Sequence, residues 1–326
     1  MPQTARQIRI TRHGTPDVLE LVDSTLPEPG AGEVLLRHTA IGVNFIDTYH
    51  RSGLYPLALP AGLGQEAAGE VMAVGQGVAE FQPGDRVAYA GGAPGAYASH
   101  RIVPAARLVA VPAEIPDEVA AATLLRGMTA QYLLKRTFKV EPGMTVLIHA
   151  AAGGVGQIAC QWARALGATV IGTVGSQAKA QLAAPWCDHV LDYSQPGWVE
   201  QVRAITEGRG VPVVYDGVGA DTFAGSLDSL MPRGMMVSFG NASGAVPPFS
   251  PGVLASKGSL FLTRPTLGHY TATREELVDT AADYFTVVTR GEVIANIGQR
   301  YALADAAQAH RDLEARRTTG STLLQP

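Results

Sequence analysis

The stretch Thr145 to Gly156, TVLIHAAAGGVG, constrains this chain more than any other, because an apolar strand runs directly into a glycine-rich turn and then a helix. Val146, Leu147 and Ile148 form the short aliphatic run that a parallel strand buries on both faces. Gly153, Gly154 and Gly156 permit a tight turn with close backbone approach, and the N-terminus of the following helix favours an anion such as a pyrophosphate. In the G-x-G-x-x-G frame Ala151 takes the place of the first glycine, so these residues alone also fit a βα turn without a ligand.

The surroundings supply the missing context. Ile158, Trp162 and Leu166 recur at helical spacing with Ala159 and Ala163 beside them, while Gln157, Gln161 and Arg164 face elsewhere, and Gly167 stops the helix. Strand-like segments follow at 169–174, 189–193, 213–216, 235–239 and 259–263, mostly separated by helical stretches. That alternation predicts a doubly wound parallel sheet. Past the second strand, where an NAD site usually places a carboxylate for the ribose 2′-hydroxyl, the sequence reads GTVGSQAK. Ser176 and Lys179 offer a hydroxyl and a positive charge, so NADPH is favoured over NADH; the alternative for Lys179 is a solvated helix lysine.

The first 125 residues differ in kind. Short segments such as 7–11, 33–41, 67–74 and 86–89 are broken by Pro27, Pro29, Gly30, Pro83 and Gly84, which is the punctuation of a small β-barrel. A helical bridge begins after Pro116, and two further helices are expected over 274–289 and 302–317. The tail is expected to rejoin the barrel, giving a discontinuous substrate domain (1–125 and 264–326) with a cofactor domain (126–263) inserted in it. A chain of 326 residues, 46% hydrophobic, can fill two such cores, and 17% charged residues with a net charge of −4 do not suggest a nucleic-acid surface. Cys160 reads as a core residue and Cys187 as a more accessible one; two cysteines make neither a cysteine zinc cluster nor a disulfide framework. No signal peptide or bilayer-length apolar run is apparent, so a cytoplasmic protein is expected.

Seven blocks occur in order: NFIDTYHRSGLYP (44–56), GQEAAGEV (64–71), PGDRVAY (83–89), HAAAGGVG (149–156), VVYDGVG (213–219), VSFGNASGAV (237–246) and GSLFLTRP (258–265). Together they resemble the bacterial, zinc-independent NADPH:quinone oxidoreductases of the zeta-crystallin-like branch of the medium-chain dehydrogenase/reductase superfamily. The resemblance covers nearly the whole chain. It implies an α/β protein with a GroES-like barrel catalytic domain, a Rossmann-type domain, an active site in the cleft between them and a homodimeric assembly through the edge segment 258–263.

The resemblance also shows what this chain lacks. Related zinc enzymes carry a cysteine near position 44, a histidine before Glu66 and a four-cysteine lobe after PGDRV, where this chain has Asn44, Gln65 and AGGAPGAYASH. Amides are poor zinc ligands beside thiolate and imidazole, so no catalytic metal is expected. A quinone suits such a site, because its reduction gives a delocalised anion that needs hydrogen-bond donors rather than a Lewis acid. Asn44, Tyr49 and Tyr55 are the candidates to hold it, against the alternative of a structural loop braced by an Asp47–Arg51 ion pair.

On the cofactor side the resemblance assigns Ala152, Gly153, Gly154 and Val155 to the pyrophosphate and Phe239, Gly240 and Asn241 to the nicotinamide end. Gly175, Ser176, Lys179, Tyr193 and Arg316 fall at the 2′-phosphate, with Arg317 left open as the alternative to Arg316. Pro185 and Trp186 depart from the plainer helix end of related chains, and Arg126 also stands where it could face the cofactor. Two other functions remain: an NADPH-dependent reductase of α,β-unsaturated aldehydes or ketones, and a non-catalytic nucleotide-gated RNA-binding or structural protein.

Overall fold

The structure is a computed structural model and describes residues 3–326. From the amino end come strands β1 (Gln3–Ile10), β2 (Glu20–Leu26) and β3 (Glu33–Val43), helix α1 (Phe45–Ser52), strands β4 (Ala61–Gly62), β5 (Glu66–Val74), β6 (Arg86–Ala90), β7 (His100–Pro104) and β8 (Val109–Ala110), and helix α2 (Asp117–Tyr132). Strands and helices then alternate as β9 (Thr145–Ile148), α3 (Gly154–Ala165), β10 (Thr169–Val174), α4 (Gln177–Ala183), β11 (His189–Asp192), α5 (Trp198–Ile205), β12 (Val211–Asp216), α6 (Phe223–Ser229) and β13 (Leu230–Ser238). The last part holds α7 (Gly252–Ser256), β14 (Phe261–Thr263), α8 (Leu267–Tyr270), α9 (Arg274–Thr289), β15 (Ile297–Ala302), α10 (Ala306–Glu314) and β16 (Ser321–Gln325).

Two compact units result. The first takes the described residues up to Leu125 with Thr271–Thr289 and Ala295–Pro326. Its larger sheet runs β15-β16-β3-β5-β6-β8, with β7 also paired to β3, and a smaller sheet runs β2-β1-β4. In β3 the middle residues alternate, with Leu36, His38 and Ala40 buried and Arg37 and Thr39 exposed, whereas Ala40 to Val43 are all buried. That change of pattern carries the strand from the sheet surface into the core, which Ile8, Ile10, Leu36, Ile41, Tyr89 and Tyr97 fill. Each large aliphatic side chain so placed contributes about 1.5–3 kcal/mol.

The tail is not the single helix expected over 302–317. Only 306–314 is α-helical, and strands β15 and β16 flank it, β16 pairing antiparallel with β3 through Leu324 and Ile41. The signal was weak because the inward positions of β15 are Ile297, Gln299 and Tyr301, a broken apolar alternation, and because Thr322 to Leu324 are all buried in so short a strand.

The second unit comprises Arg126–Tyr270 and Arg290–Ile294. Its six strands are all parallel, in the order β11-β10-β9-β12-β13-β14, with Leu147 at the centre opposite Ile171 on one side and Val214 on the other. The strand order reverses at β9, so the carboxyl ends of β9 and β12 flank the switch point where open sheets of this kind take ligands. Helix α3 buries Ile158, Trp162, Ala159 and Ala163 as expected, but Gln157 and Gln161 are buried too. Their amides are used: Gln157 Nε2 donates to the Ala152 carbonyl at 2.9 Å, and Gln161 Oε1 accepts from the Ile294 N–H at 2.8 Å. Cys187, expected to be the more accessible cysteine, is buried like Cys160, with its Sγ packed against Gly172.

Candidate functional site

In the second unit the glycine turn is shaped by close approach of backbone to backbone. A Cβ on Gly156 would lie 2.1 Å from the Ala150 carbonyl oxygen, so the turn closes only because that position has no side chain. The Gly153 N–H donates to the same carbonyl at 2.8 Å, and Gly153 then caps α3 in an extended conformation. Ala151, which breaks the glycine motif, is fully buried, and its methyl lies where a Cβ on Gly172 of the neighbouring strand would reach. A glycine lost from the turn is thus matched by a glycine on β10. The first turn of α3 carries no acidic residue, leaving the positive end of a twelve-residue helix behind half-buried Gly153, Gly154 and Val155. Ala152 is buried, and Arg126 packs across Gly154, where a Cβ would meet its Nε at 2.5 Å.

At the end of β10, Gly175 leaves room for Tyr193, whose hydroxyl would lie 2.7 Å from a Cβ at that position. Ser176 stands at the N-cap of α4 without its hydroxyl capping the helix, and Lys179 lies in the first turn, which again has no acidic residue. A helix start bearing a lysine and no carboxylate is electrostatically suited to an anion.

The loops after β12 and β13 are laced together around Asp216. Its carbonyl accepts the Phe239 N–H at 2.8 Å, and a Cβ on Gly240 would lie 2.4 Å from the Gly217 carbonyl oxygen. Asn241 closes the same loop, its carbonyl accepting from Gly244 at 3.0 Å. The Asp216 carboxylate is fully buried; Oδ1 accepts from the Val218 and Gly219 N–H groups, and Oδ2 accepts from Thr222 Oγ1 at 2.7 Å and Ser226 Oγ at 2.9 Å. Ser226 has given its only proton to the carboxylate, so His149 Nε2 donates to Ser226 Oγ (2.9 Å) and His149 Nδ1 accepts from Thr173 Oγ1 (2.6 Å). Burial pushes the imidazole pKa down, opposed by the charge of Asp216. Thr173, His149 and Asp216 stand at the carboxyl ends of three adjacent strands, so one polar chain ties together the three loops that follow them. Sequence reasoning missed this chain; the signal was a carboxylate closing an apolar strand, VPVVYD, just before Gly-x-Gly.

In the first unit, Asn44 ends β3 and opens α1. Its backbone N–H donates to Asp47 Oδ2 at 2.8 Å, and its side-chain Nδ2 donates to Glu66 Oε1 at 2.7 Å. Glu66 is fully buried and its other oxygen accepts from the Leu125 N–H. The carboxylate orients the amide, because only the nitrogen end can face it. Tyr49 and Tyr55, both half-buried, lie with ring centroids 5.1 Å apart at 57°, and the Tyr55 N–H donates to the Tyr49 carbonyl. Arg51 turns away from Asp47 and pairs with Glu314, so the alternative of an Asp47–Arg51 brace does not hold. Arg316 follows α10 in a left-handed conformation (φ +58°), exposed and without an ion pair among the described residues, whereas Arg317 pairs with Asp312 at 2.8 Å.

A chain that carries both this barrel and this wound sheet defines the dehydrogenase class. Residues 30–113 match the alcohol dehydrogenase GroES-like domain and residues 154–283 match the zinc-binding dehydrogenase family. A quinone oxidoreductase of Pseudomonas aeruginosa is 52% identical over 326 residues, covering 99% of this chain and all of that protein. A 2-haloacrylate reductase of a Burkholderia species is 46% identical, covering 97% of this chain and 98% of that protein. The crystal structure of Escherichia coli quinone oxidoreductase complexed with NADPH shares 49% identity and a TM-score of 0.97, covering 99% of this chain and all of the other. The chain belongs to the quinone oxidoreductases of the zinc-binding dehydrogenase family.

The zinc in that family's name does not fit these residues. Asn44 and Gln65, both buried, put two neutral amides where the zinc enzymes carry thiolate and imidazole, and the Asn44 amide already donates to Glu66. Among the described residues no three His, Cys, Asp or Glu side chains gather in a way that could hold a metal ion. None of the helices is long and apolar enough to cross a membrane among the residues described.

Proposed function

We propose that this protein is an NADPH-dependent quinone reductase working without a metal. NADPH, when bound, supplies a hydride from its dihydronicotinamide ring; with one proton, the quinone becomes a hydroquinone and the cofactor NADP⁺. The glycine turn at the start of α3 receives the pyrophosphate through Gly153, Gly154 and Val155, with Ala152 behind them. Lys179 and Ser176, with Gly175 and Tyr193 beside them, take the 2′-phosphate. Phe239, Gly240 and Asn241 border the nicotinamide. Asn44, held by Glu66, and the Tyr49–Tyr55 pair bind the quinone, a hydroxyl donating to the oxygen on which negative charge develops.

The observation that carries the reading is the Asn44–Glu66 pair at the N-cap of the helix whose Tyr49 packs on Tyr55, in a chain half identical along its length to quinone oxidoreductases. The 46% identity to a 2-haloacrylate reductase favours one second reading, reduction of an activated alkene. We also propose a dimer through β14, the outer strand of the six-stranded sheet, where Phe261 is 59% exposed. NADPH consumption with 1,4-benzoquinone, 9,10-phenanthrenequinone and an enal, measured side by side, separates the two activities.

A further inference from the structure

A second buried polar chain lies in the first unit and is not part of the reading above. Arg51 is 3% exposed and His310 is fully buried. Arg51 Nη1 donates to His310 Nδ1 at 3.1 Å, and the same guanidinium is clamped by both oxygens of Glu314 at 2.6 and 3.0 Å. Arg51 has no acceptor capacity, so His310 Nδ1 carries no proton and Nε2 does. Nε2 therefore donates to the Tyr97 hydroxyl at 3.0 Å, and Tyr97 donates to Asp47 Oδ2 at 2.9 Å. Asp47 Oδ2 also accepts the Asn44 N–H at 2.8 Å. Every link has one direction, from the guanidinium to the carboxylate. Burial and the adjacent Arg51 charge hold the His310 pKa down at about 3, which keeps the imidazole neutral.

The two ends of this chain of hydrogen bonds are the first and last turns of α1, the helix that carries Asn44 at its N-cap and Tyr49 within it. A buried charge held through directed hydrogen bonds has a narrow choice of geometry, because any rotation leaves a donor or acceptor unpaired in a dry interior. We infer that Arg51, His310, Tyr97 and Asp47 form a positioning device that fixes the substrate helix α1 from the carboxyl-terminal helix α10, and thereby sets where the Asn44 amide and the Tyr49 hydroxyl meet the quinone. None of the four touches substrate in this account. The inference rests on the proposed quinone-reductase reading.

The test uses Tyr97→Phe, which keeps the ring and removes the central link, together with Asp47→Ala and Asp47→Asn. The asparagine retains an acceptor for both the Asn44 N–H and the Tyr97 O–H; the alanine has none. Tyr97→Phe and Asp47→Ala are expected to lower kcat/KM for 1,4-benzoquinone by about 10- to 100-fold, the scale of a misplaced reacting group. The NADPH dissociation constant is expected to stay within about twofold, and Asp47→Asn to recover most of the lost activity, since hydrogen-bond geometry rather than global stability is then at issue. If Asp47→Ala does not fold, Tyr97→Phe decides alone. An unaltered kcat/KM in Tyr97→Phe, or an Asp47→Asn as impaired as Asp47→Ala, overturns the inference while leaving the quinone-reductase reading intact. Absence of quinone reduction by the unsubstituted protein, measured first, rejects that reading and this inference with it.

Discussion

Replacing Lys179 by alanine is predicted to erode the preference for NADPH over NADH. Lys179 lies in the first turn of α4, half-buried, in a turn without an acidic residue, so a phosphate placed there meets both an ammonium and the positive end of the helix. A charge-assisted contact of this kind contributes about 1.5–3 kcal/mol. At tenfold per 1.4 kcal/mol, that is a weakening of NADPH binding by about 10- to 150-fold. The helix end and Tyr193 remain, so some preference survives. NADH has no 2′-phosphate and should bind as before, within about twofold, because its pyrophosphate is proposed to sit at the start of α3. Partial exposure adds a second signature: the preference of the unsubstituted protein should shrink as salt is raised, the screening length being about 10 Å at 0.1 M. Titration of nicotinamide fluorescence with both cofactors, at two ionic strengths, measures all of this. Equal weakening of NADPH and NADH by Lys179→Ala would show that the lysine only supports the fold, and would refute the assignment.

Three further outcomes are expected. Elemental analysis should find no stoichiometric zinc and EDTA should leave turnover intact, because amides, Asn44 and Gln65, stand at the ligand positions and that of Asn44 is already bonded to Glu66; one zinc per chain, lost together with activity, contradicts this. Tyr49→Phe should lower kcat with a quinone by roughly 10- to 1000-fold with NADPH affinity unchanged, and a raised KM at constant kcat would instead mean uniform binding. His38 and His310 have pKa values lowered from 6.5 to about 3 by burial, so the unfolded chain binds the extra protons; their stabilisation is complete above pH 6.5 and is lost as the pH falls towards 3. Urea unfolding across that range should show stability declining by about 1.4 kcal/mol per pH unit for each such histidine, and a His310→Gln slope equal to the native one would show that His310 does not contribute.

Much of this architecture was legible because backbone requirements write themselves into residue type. Gly156 and Gly240 admit no side chain, and the parallel strands β9 and β12 are continuous apolar runs that only burial on both faces explains. What escaped was long-range polar pairing. Nothing in the local sequence says that Arg51 meets Glu314 rather than Asp47, since the partners are 263 residues apart. The same holds for the chain from Thr173 through His149 and Ser226 to Asp216, whose members lie in four separate segments and become neighbours only when the parallel sheet aligns its carboxyl ends. Gln157 and Gln161 misled for a related reason: polarity alone suggests exposure, whereas each amide satisfies a backbone group inside the fold. Strand β15 was hidden because an inward-facing glutamine interrupts its alternation, Gln299 being held there by hydrogen bonds to the Thr319 backbone.

The most direct test of the central claim is the oxidation of NADPH by the purified, metal-free protein in the presence of 1,4-benzoquinone and, separately, an enal at equal concentration. The account predicts rapid, EDTA-resistant quinone reduction with NADPH, slower turnover with NADH, and a markedly smaller kcat/KM for the enal. Turnover of the enal that exceeds that of every quinone tried, or quinone reduction that appears only after zinc is added, would contradict it.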